Sequence, residues 1–343
     1  MWAMIVKEFR QVRRDHRTLA MMIVMPVVLL VVFGYAASFD TSSIPTWVGG
    51  SNAEMLAERL PDLFEIEKVD AGLARTEAVD GLTEGEAVVV ILADQASGTA
   101  FIDGSELFSA RAAVQAITAG APHIEVEVLF NPELDTSVVL VPGLAGLILL
   151  FIGTVITSLG VVRERQAGTL EQLAVMPLRP RDVFVGKVAP YFLVAALDLV
   201  VVLVVGSLVF DVPFNGSVFT LALGSVLFLF VTLGVGVLIS GVSENQGQAV
   251  QLALMTLLPQ VLLSGIIFPL ESMATAVRYL GYLLPLTWFN QIARGVMVRG
   301  TSIGSLLVPL GILAVYGAIV FGLAVVRFRR DLAASRQVEA VPA

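Results

Sequence analysis

The 343-residue chain has no cysteine and only two histidines. A disulfide framework, thiolate metal ligation and a cysteine nucleophile are therefore excluded. Neither an H-E-x-x-H metal motif nor a G-x-x-x-x-G-K-[ST] phosphate loop occurs, so this chain cannot hydrolyse ATP in the usual way. Charge is also scarce. Only 15% of residues are Asp, Glu, Lys or Arg, against about 25% in soluble domains.

Apolar sequence in long blocks takes the place of charge. The chain is 57% hydrophobic with a mean hydropathy of +0.87, which excludes a single soluble domain and makes lipid the expected solvent. A bilayer core about 30 Å thick calls for roughly 20 apolar helical residues. Six segments meet that test: approximately 19–37, 138–162, 188–210, 218–242, 248–270 and 306–326. Across all six the single formal charge is Asp198. The blocks lack the ten-residue alternation of barrel strands, so the expected fold is an α-helical polytopic membrane protein.

The charges divide along the chain. Residues 38–137 hold 4 Lys/Arg and 18 Asp/Glu, a balance of −14, whereas the other 243 residues hold 17 and 11, a balance of +6. A phosphate backbone is bound by Lys/Arg, so nucleic acid is not an expected partner of the acidic segment. In the basic part, 14 cations fall on one side of a six-span layout: Lys7, Arg10, Arg13, Arg14 and Arg17; Arg163, Arg165, Arg179, Arg181 and Lys187; Arg327, Arg329, Arg330 and Arg336. The Lys/Arg bias makes that side cytoplasmic, with both termini there and residues 38–137 outside. Arg278, Arg294 and Arg299 fit poorly, since the same layout puts them outside.

A cleaved signal peptide is the rival reading of the first span. Its run of about 19 apolar residues exceeds the 7 to 15 of a signal core. Before it, Trp2, Ile5, Val6, Phe9 and Val12 share one helical face within residues 1–18, as in a helix lying in the inner interface. Between the last two spans, the apolar run 279–289 is too short to cross and is broken by Pro285. Residues 275–300 therefore read as an outer re-entrant segment with Trp288 at headgroup level.

Within 38–137, alternating or β-branched runs at 46–48, 64–69, 87–92 and 125–129 interleave with helix-like stretches at 53–60, 73–82 and 106–118. This order predicts a small extracytoplasmic α/β domain. Its one histidine, His123, and its scattered carboxylates form no recognisable catalytic set. The acidic residues read as a solvated face, with a surface for cations as the sharper alternative.

The most informative loop runs from Arg163-Glu164-Arg165 through Gly168-Thr169-Leu170-Glu171 to Met176-Pro177, inside the loop 163–187. Gly168 can open a short helix whose first amides Thr169 and Glu171 complement, and Pro177 ends it. Together with Asn131-Pro132-Glu133, Pro142-Gly143, the basic amphipathic start leading to Met25-Pro26, and Pro285-Leu286-Thr287-Trp288, this loop resembles that of ABC type-2 transporter permeases. The closer likeness is to the subgroup with a large insert between the first two spans, as in bacterial multidrug exporter permeases.

That resemblance implies a type-2 exporter permease fold in the inner (plasma) membrane. It also implies a coupling helix at about 164–176 seated on a separate cytoplasmic ABC ATPase, through Arg163, Glu164, Arg165, Gly168, Thr169, Glu171 and Pro177. Two ATPase copies would pair with two permeases, the second being a copy or a paralogue. No cofactor is expected in this chain; ATP and Mg belong to the ATPase. Spans two and five would line the dimer interface and the substrate path. Independently, Gln248, Gln251, Met255 and Pro259 share one narrow helical face, and polar groups in lipid face protein or water. Thr154, Thr157 and Ser158 are weaker candidates, because hydroxyls can bond their own helix.

Asp198 lies roughly 16 Å into the bilayer at 1.5 Å per residue from Lys187. It is either a proton or cation site or a structurally paired group. The reading that unites these features is a permease subunit moving a drug-like or lipid-like compound outward. Its rivals are an ion-coupled secondary transporter using Asp198 and a membrane-anchored receptor acting through the acidic domain.

Overall fold

The computed structural model describes residues 27, 43–93, 98–120, 123–168 and 180–339, without the side chains of 180–185, 187–188, 271 and 328–339. The expected interfacial helix 1–18 lies outside the described residues, as does the first span apart from Val27.

Residues 43–131 build a five-stranded sheet from β1 (Ile44–Gly49), β2 (Phe64–Asp70), β3 (Val89–Ala93), β4 (Gly98–Asp103) and β5 (Ile124–Leu129). Its order is β2-β1-β3-β4-β5, and only the β3–β4 pair is antiparallel. The parallel pairs need crossovers. Helix α1 (Ala53–Ala57) joins β1 to β2, α2 (Arg75–Glu84) joins β2 to β3, and α3 (Leu107–Gly120) joins β4 to β5. Alternation along the strands feeds two cores. Val89, Ile91, Ala100 and Ile102 pack with Ala110, Ala113 and Ile117 of α3, while Val90, Phe101 and Trp47 pack with Ala78 and Leu82 of α2. Strand β4 carries no signal in the sequence reading: Gly98-Thr99-Ala100 is small and weakly alternating, and its partners β3 and β5 decide it.

The sheet hands over to the helices at Asn131. Its Nδ2 donates to Gly104 O (3.2 Å) and Asp135 O (3.0 Å), and its Oδ1 accepts from Asp135 N (3.0 Å). Helix α4 (Thr136–Phe151) continues through a π turn, Ile152–Ile156, into α5 (Thr157–Gln166). There follow α6 (Pro180–Val209), α7 (Val218–Val242), α8 (Gln246–Leu263), α9 (Thr275–Tyr282), α10 (Pro285–Arg294) with a π turn Gly295–Arg299, and α11 (Leu307–Glu339). Helices α9 and α10 occupy the expected re-entrant segment, with Pro285 at the first turn of α10 rather than inside a helix.

Among the described residues, four stretches are long and apolar enough to cross a membrane: Thr136–Gln166, Ala189–Val209, Val218–Val242 and Leu307–Arg327. The expected stretch 248–270 is cut short. Helix α8 ends at Leu263, because Gly265 takes φ +81° and Pro269 biases its predecessor toward extended backbone. Burial ranks the spans: 67% of the α4–α5 window and 61% of α7 are buried, against 17% of α6. The α4–α5 rod and α7 thus form the centre. Their axes approach closely at the π turn, where a Cβ on Gly153 would lie 2.1 Å from Thr232 Oγ1 and one on Gly236 would lie 2.4 Å from Gly153 O. Such small-residue contacts are how helices pack where lipid removes the hydrophobic drive between them. Phe228 stacks on Phe289 with ring centroids 4.7 Å apart, which ties α10 to the same core.

Candidate functional site

Polar chemistry concentrates at the two ends of the helical bundle. At the arginine-bearing end, α5 finishes in Arg163-Glu164-Arg165-Gln166, and the chain is turned away by Gly168 at φ +72°. Arg165 Nη1 donates to Ser243 O (3.1 Å), and Gln246 Nε2 donates to Gln166 Oε1 (3.0 Å). The end of α5 is thereby fixed to the turn between α7 and α8. Asn245 caps α8 by accepting from Gln248 N (2.9 Å). Arg327 of α11 donates from Nη2 to Gly241 O (3.0 Å). Arg163 points into solvent at the rim. The remaining members of the expected ATPase contact, Thr169, Glu171 and Pro177, lie outside the described residues.

The expected path residues divide. Gln248 is buried, and its Oε1 accepts from Glu244 N (3.0 Å), so this glutamine closes the α7–α8 turn. Gln251 and Met255 are half-buried along α8, and Gln251 Oε1 is a buried acceptor with no partner among the described residues. Thr154, Thr157 and Ser158 are fully buried where the α4–α5 rod meets α7. Thr157 donates to Ile152 O (3.2 Å) and Ser158 to Val155 O (2.9 Å), both within their own rod, whereas Thr154 Oγ1 has no partner among the described residues. Asp198 is half-buried on α6 and forms no hydrogen bond or ion pair among the described residues.

At the opposite end, the sheet domain is clasped by a hairpin of the bundle. Arg294, at the end of α10, donates from Nη1 to Glu106 Oε2 at the start of α3 (2.7 Å) and from Nη2 to Gly265 O just beyond α8 (3.2 Å). One side chain therefore links the sheet domain, the α10 hairpin and the end of α8. Arg299 donates to Asp103 Oδ2 (3.3 Å) and lies 3.9 Å from Glu106 Oε1. Asp103 is fully buried, and burial raises its pKa above the ordinary carboxylate value of 3.8; the Arg299 charge pulls it back down. Thr301 Oγ1 donates to Thr83 O (2.7 Å), and Ser302 donates to Glu84 Oε2 from both N (3.3 Å) and Oγ (3.1 Å). Glu84, Glu106, Trp288 and Arg299 line a cavity of about 380 Å³ along this seam.

The sequence reading does not single out these clasp residues. A signal was present: Arg294 and Arg299 are two of the three cations on the wrong side of the charge rule, and an acidic domain supplies their partners. Residues 300–304 also match G-x-S-x-G by letter. However, Ser302 sits in a loop before α11 and is held by Glu84, without the strand-to-helix elbow that makes a nucleophile. No group of three or more His, Cys, Asp or Glu that could hold a metal ion occurs among the described residues.

The geometry is that of a helical membrane protein with a small sheet domain and polar contacts at each end. Comparison with known proteins agrees. The chain is 27% identical over 370 residues to "Probable multidrug ABC transporter permease YbhS" of Escherichia coli (strain K12), covering 96% of this chain and 97% of that one. It is 26% identical over 363 residues to "Probable multidrug ABC transporter permease YbhR" of the same organism, covering 97% and 99%. To "Inner membrane transport permease YhhJ" it is 31% identical over 213 residues, 61% of this chain and 56% of the relative. No solved structure matches. The family described as "ABC-2 family transporter protein" matches residues 16–326, and the chain belongs to the ABC-2 family of transporter proteins.

Proposed function

We propose that this chain is the membrane permease subunit of an ATP-driven exporter, moving a hydrophobic or amphipathic compound outward. The observation that carries the proposal is the family match across residues 16–326 in a chain without a phosphate loop. The motor must then be another polypeptide. ATP and Mg act in that ATPase, two copies of which pair with two permeases, and its closure biases the permease only through different affinity for its two states. In this reading six spans cross the inner membrane with both termini cytoplasmic. The sheet domain is extracytoplasmic, the arginine-bearing end faces the ATPase, and the loop from Arg163 to Pro177 carries the contact. The multidrug names of the relatives support an export role.

The test is affinity purification of the tagged chain from its native membrane in mild detergent, with identification of co-purifying proteins and an ATPase assay. A stoichiometric ATPase with a phosphate loop is expected. Glu171→Arg should weaken that association while membrane insertion is unchanged. A crosslinked chain that still purifies alone overturns the reading. The half-buried Asp198, without a partner among the described residues, is the observation favouring ion coupling instead, and transport by the reconstituted chain on a proton gradient alone would establish it.

A further inference from the structure

Between the end of α5, the α7–α8 turn and α11 lies a cavity of about 780 Å³. Its position follows from where apolar sequence stops: Thr136–Gln166 and Val218–Val242 end around it, and the apolar run of α11 gives way there to Arg327. It therefore sits where the apolar layer gives way to the polar one. Its wall joins two chemistries, with Val242 and Leu252 apolar, and Arg165 and Arg327 cationic. Glu244 is also on the lining, so the three charged side chains carry a net +1.

Both guanidinium groups are positioned by the same helix end. The last carbonyls of a helix lack intrahelical donors. Arg165 reaches Ser243 O at 3.1 Å and Arg327 reaches Gly241 O at 3.0 Å, each from a different neighbouring helix. A guanidinium carries five N–H donors in a fixed fork, so it can meet several acceptors at once. Ligand pockets run about 300 to 1,000 Å³, and this cavity falls within that range. Basic pockets between spans at the cytoplasmic end take anionic lipid headgroups.

We propose that this cavity holds the phosphodiester headgroup of an anionic phospholipid from the adjacent leaflet, with Arg165 and Arg327 on the phosphate and the start of an acyl chain along Val242 and Leu252. The proposal rests on the reading that these helices span the bilayer. A lipid there bridges α5, which leads into the loop 163–187, to α11. It thereby stiffens the end of the permease that faces the motor.

The test uses the delipidated full-length chain in neutral detergent, with lipid retention read by native mass spectrometry. No ATPase is present, so failure here leaves the exporter reading to its own experiment. The chain should retain phosphatidylglycerol over phosphatidylcholine. Arg165→Gln with Arg327→Gln should lower retention by about tenfold or more, since charge-assisted bonds are lost. Arg163→Gln removes the same charge from a side chain outside the cavity, and it should retain the lipid as the wild type does. Equal retention of the two lipids overturns the proposal, as does wild-type retention in the double variant or an equal loss in Arg163→Gln. Competition by inorganic phosphate as effective as by lipid replaces the lipid with a soluble anion and also overturns it. Thermal unfolding of the double variant within a few degrees of wild type shows that a loss of lipid is not a loss of fold.

Discussion

The sheet domain and the helical bundle are built inside out relative to one another. In the sheet domain Val89, Val90, Ile91 and Ile102 are wholly buried, while carboxylates such as Glu54, Glu58, Asp62 and Glu65 face water. In the bundle Leu193, Leu197, Leu208 and Phe219 are more than 60% exposed, while Thr154, Thr157 and Ser158 are fully buried. Each arrangement follows from its solvent. Water drives apolar side chains inward, but in lipid nothing is gained by hiding a leucine, and packing falls to small residues and short polar bonds. Where the two regions meet neither rule holds, and the contact is made by ions: Arg294 with Glu106 and Arg299 with Asp103.

The largest expected effect breaks that junction. Arg299→Met leaves the fully buried Asp103 without its cation and should cost about 3 to 5 kcal/mol, seen as a lower unfolding midpoint in detergent. Adding Asp103→Leu should recover most of the loss. If the double variant is worse than the single, the pair is not the coupling unit. Next comes the contrast between cores. Leu82→Ala, at a wholly buried site under the sheet, should cost about 2 to 5 kcal/mol. Leu197→Ala, 61% exposed on α6, should stay within about 0.5 kcal/mol. Equal effects would mean that α6 is covered in the protein as tested.

Crowding the bundle's closest approach is a smaller perturbation. Gly153→Val drives a side chain into Thr232 and should cost about 1 to 3 kcal/mol. Thr232→Ala in the same chain should return part of it, because Thr232 Oγ1 is the nearest atom. The smallest effect concerns pH. The folded pKa of Asp103 lies above its ordinary value of 3.8, so between the two values the folded state holds more proton. Its contribution to stability is fully present below 3.8 and is lost as pH rises through the raised folded value. Across that window the midpoint difference between wild type and Asp103→Asn should move toward wild type on acidification. No movement would mean that Arg299 holds Asp103 ionised throughout.

Several elements were legible because a single local signal sufficed. The span 218–242 was read to the residue, since an uninterrupted apolar run bounded by Ser217 and Ser243 fits helix and bilayer alike. The strands at 64–69 and 125–129 were found from their alternation. Strand β4 was missed because its own residues alternate weakly, and its pairing with β3 and β5 fixes it instead. The end of α8 was placed too late because hydropathy continues past Gly265 while the backbone does not. In the candidate site the cations of loop 163–187 stood out as local clusters, whereas the clasp did not. Glu106 and Arg294 are 188 residues apart, and no window contains both.

By itself the sequence determined which parts suit lipid and which suit water, the apolar lengths, and the absence of a phosphate loop and of cysteine. All of these are sums over neighbouring residues, and composition and period report them directly. The tertiary structure decided which polar groups meet. It turned Gln248 into the closure of a turn and put Thr157 and Ser158 on their own helix. It also brought Arg165 and Arg327 to one helix end and paired Arg294 with Glu106 and Arg299 with the buried Asp103. Those outcomes depend on three-dimensional proximity at hydrogen-bond range, which spacing along a chain does not encode.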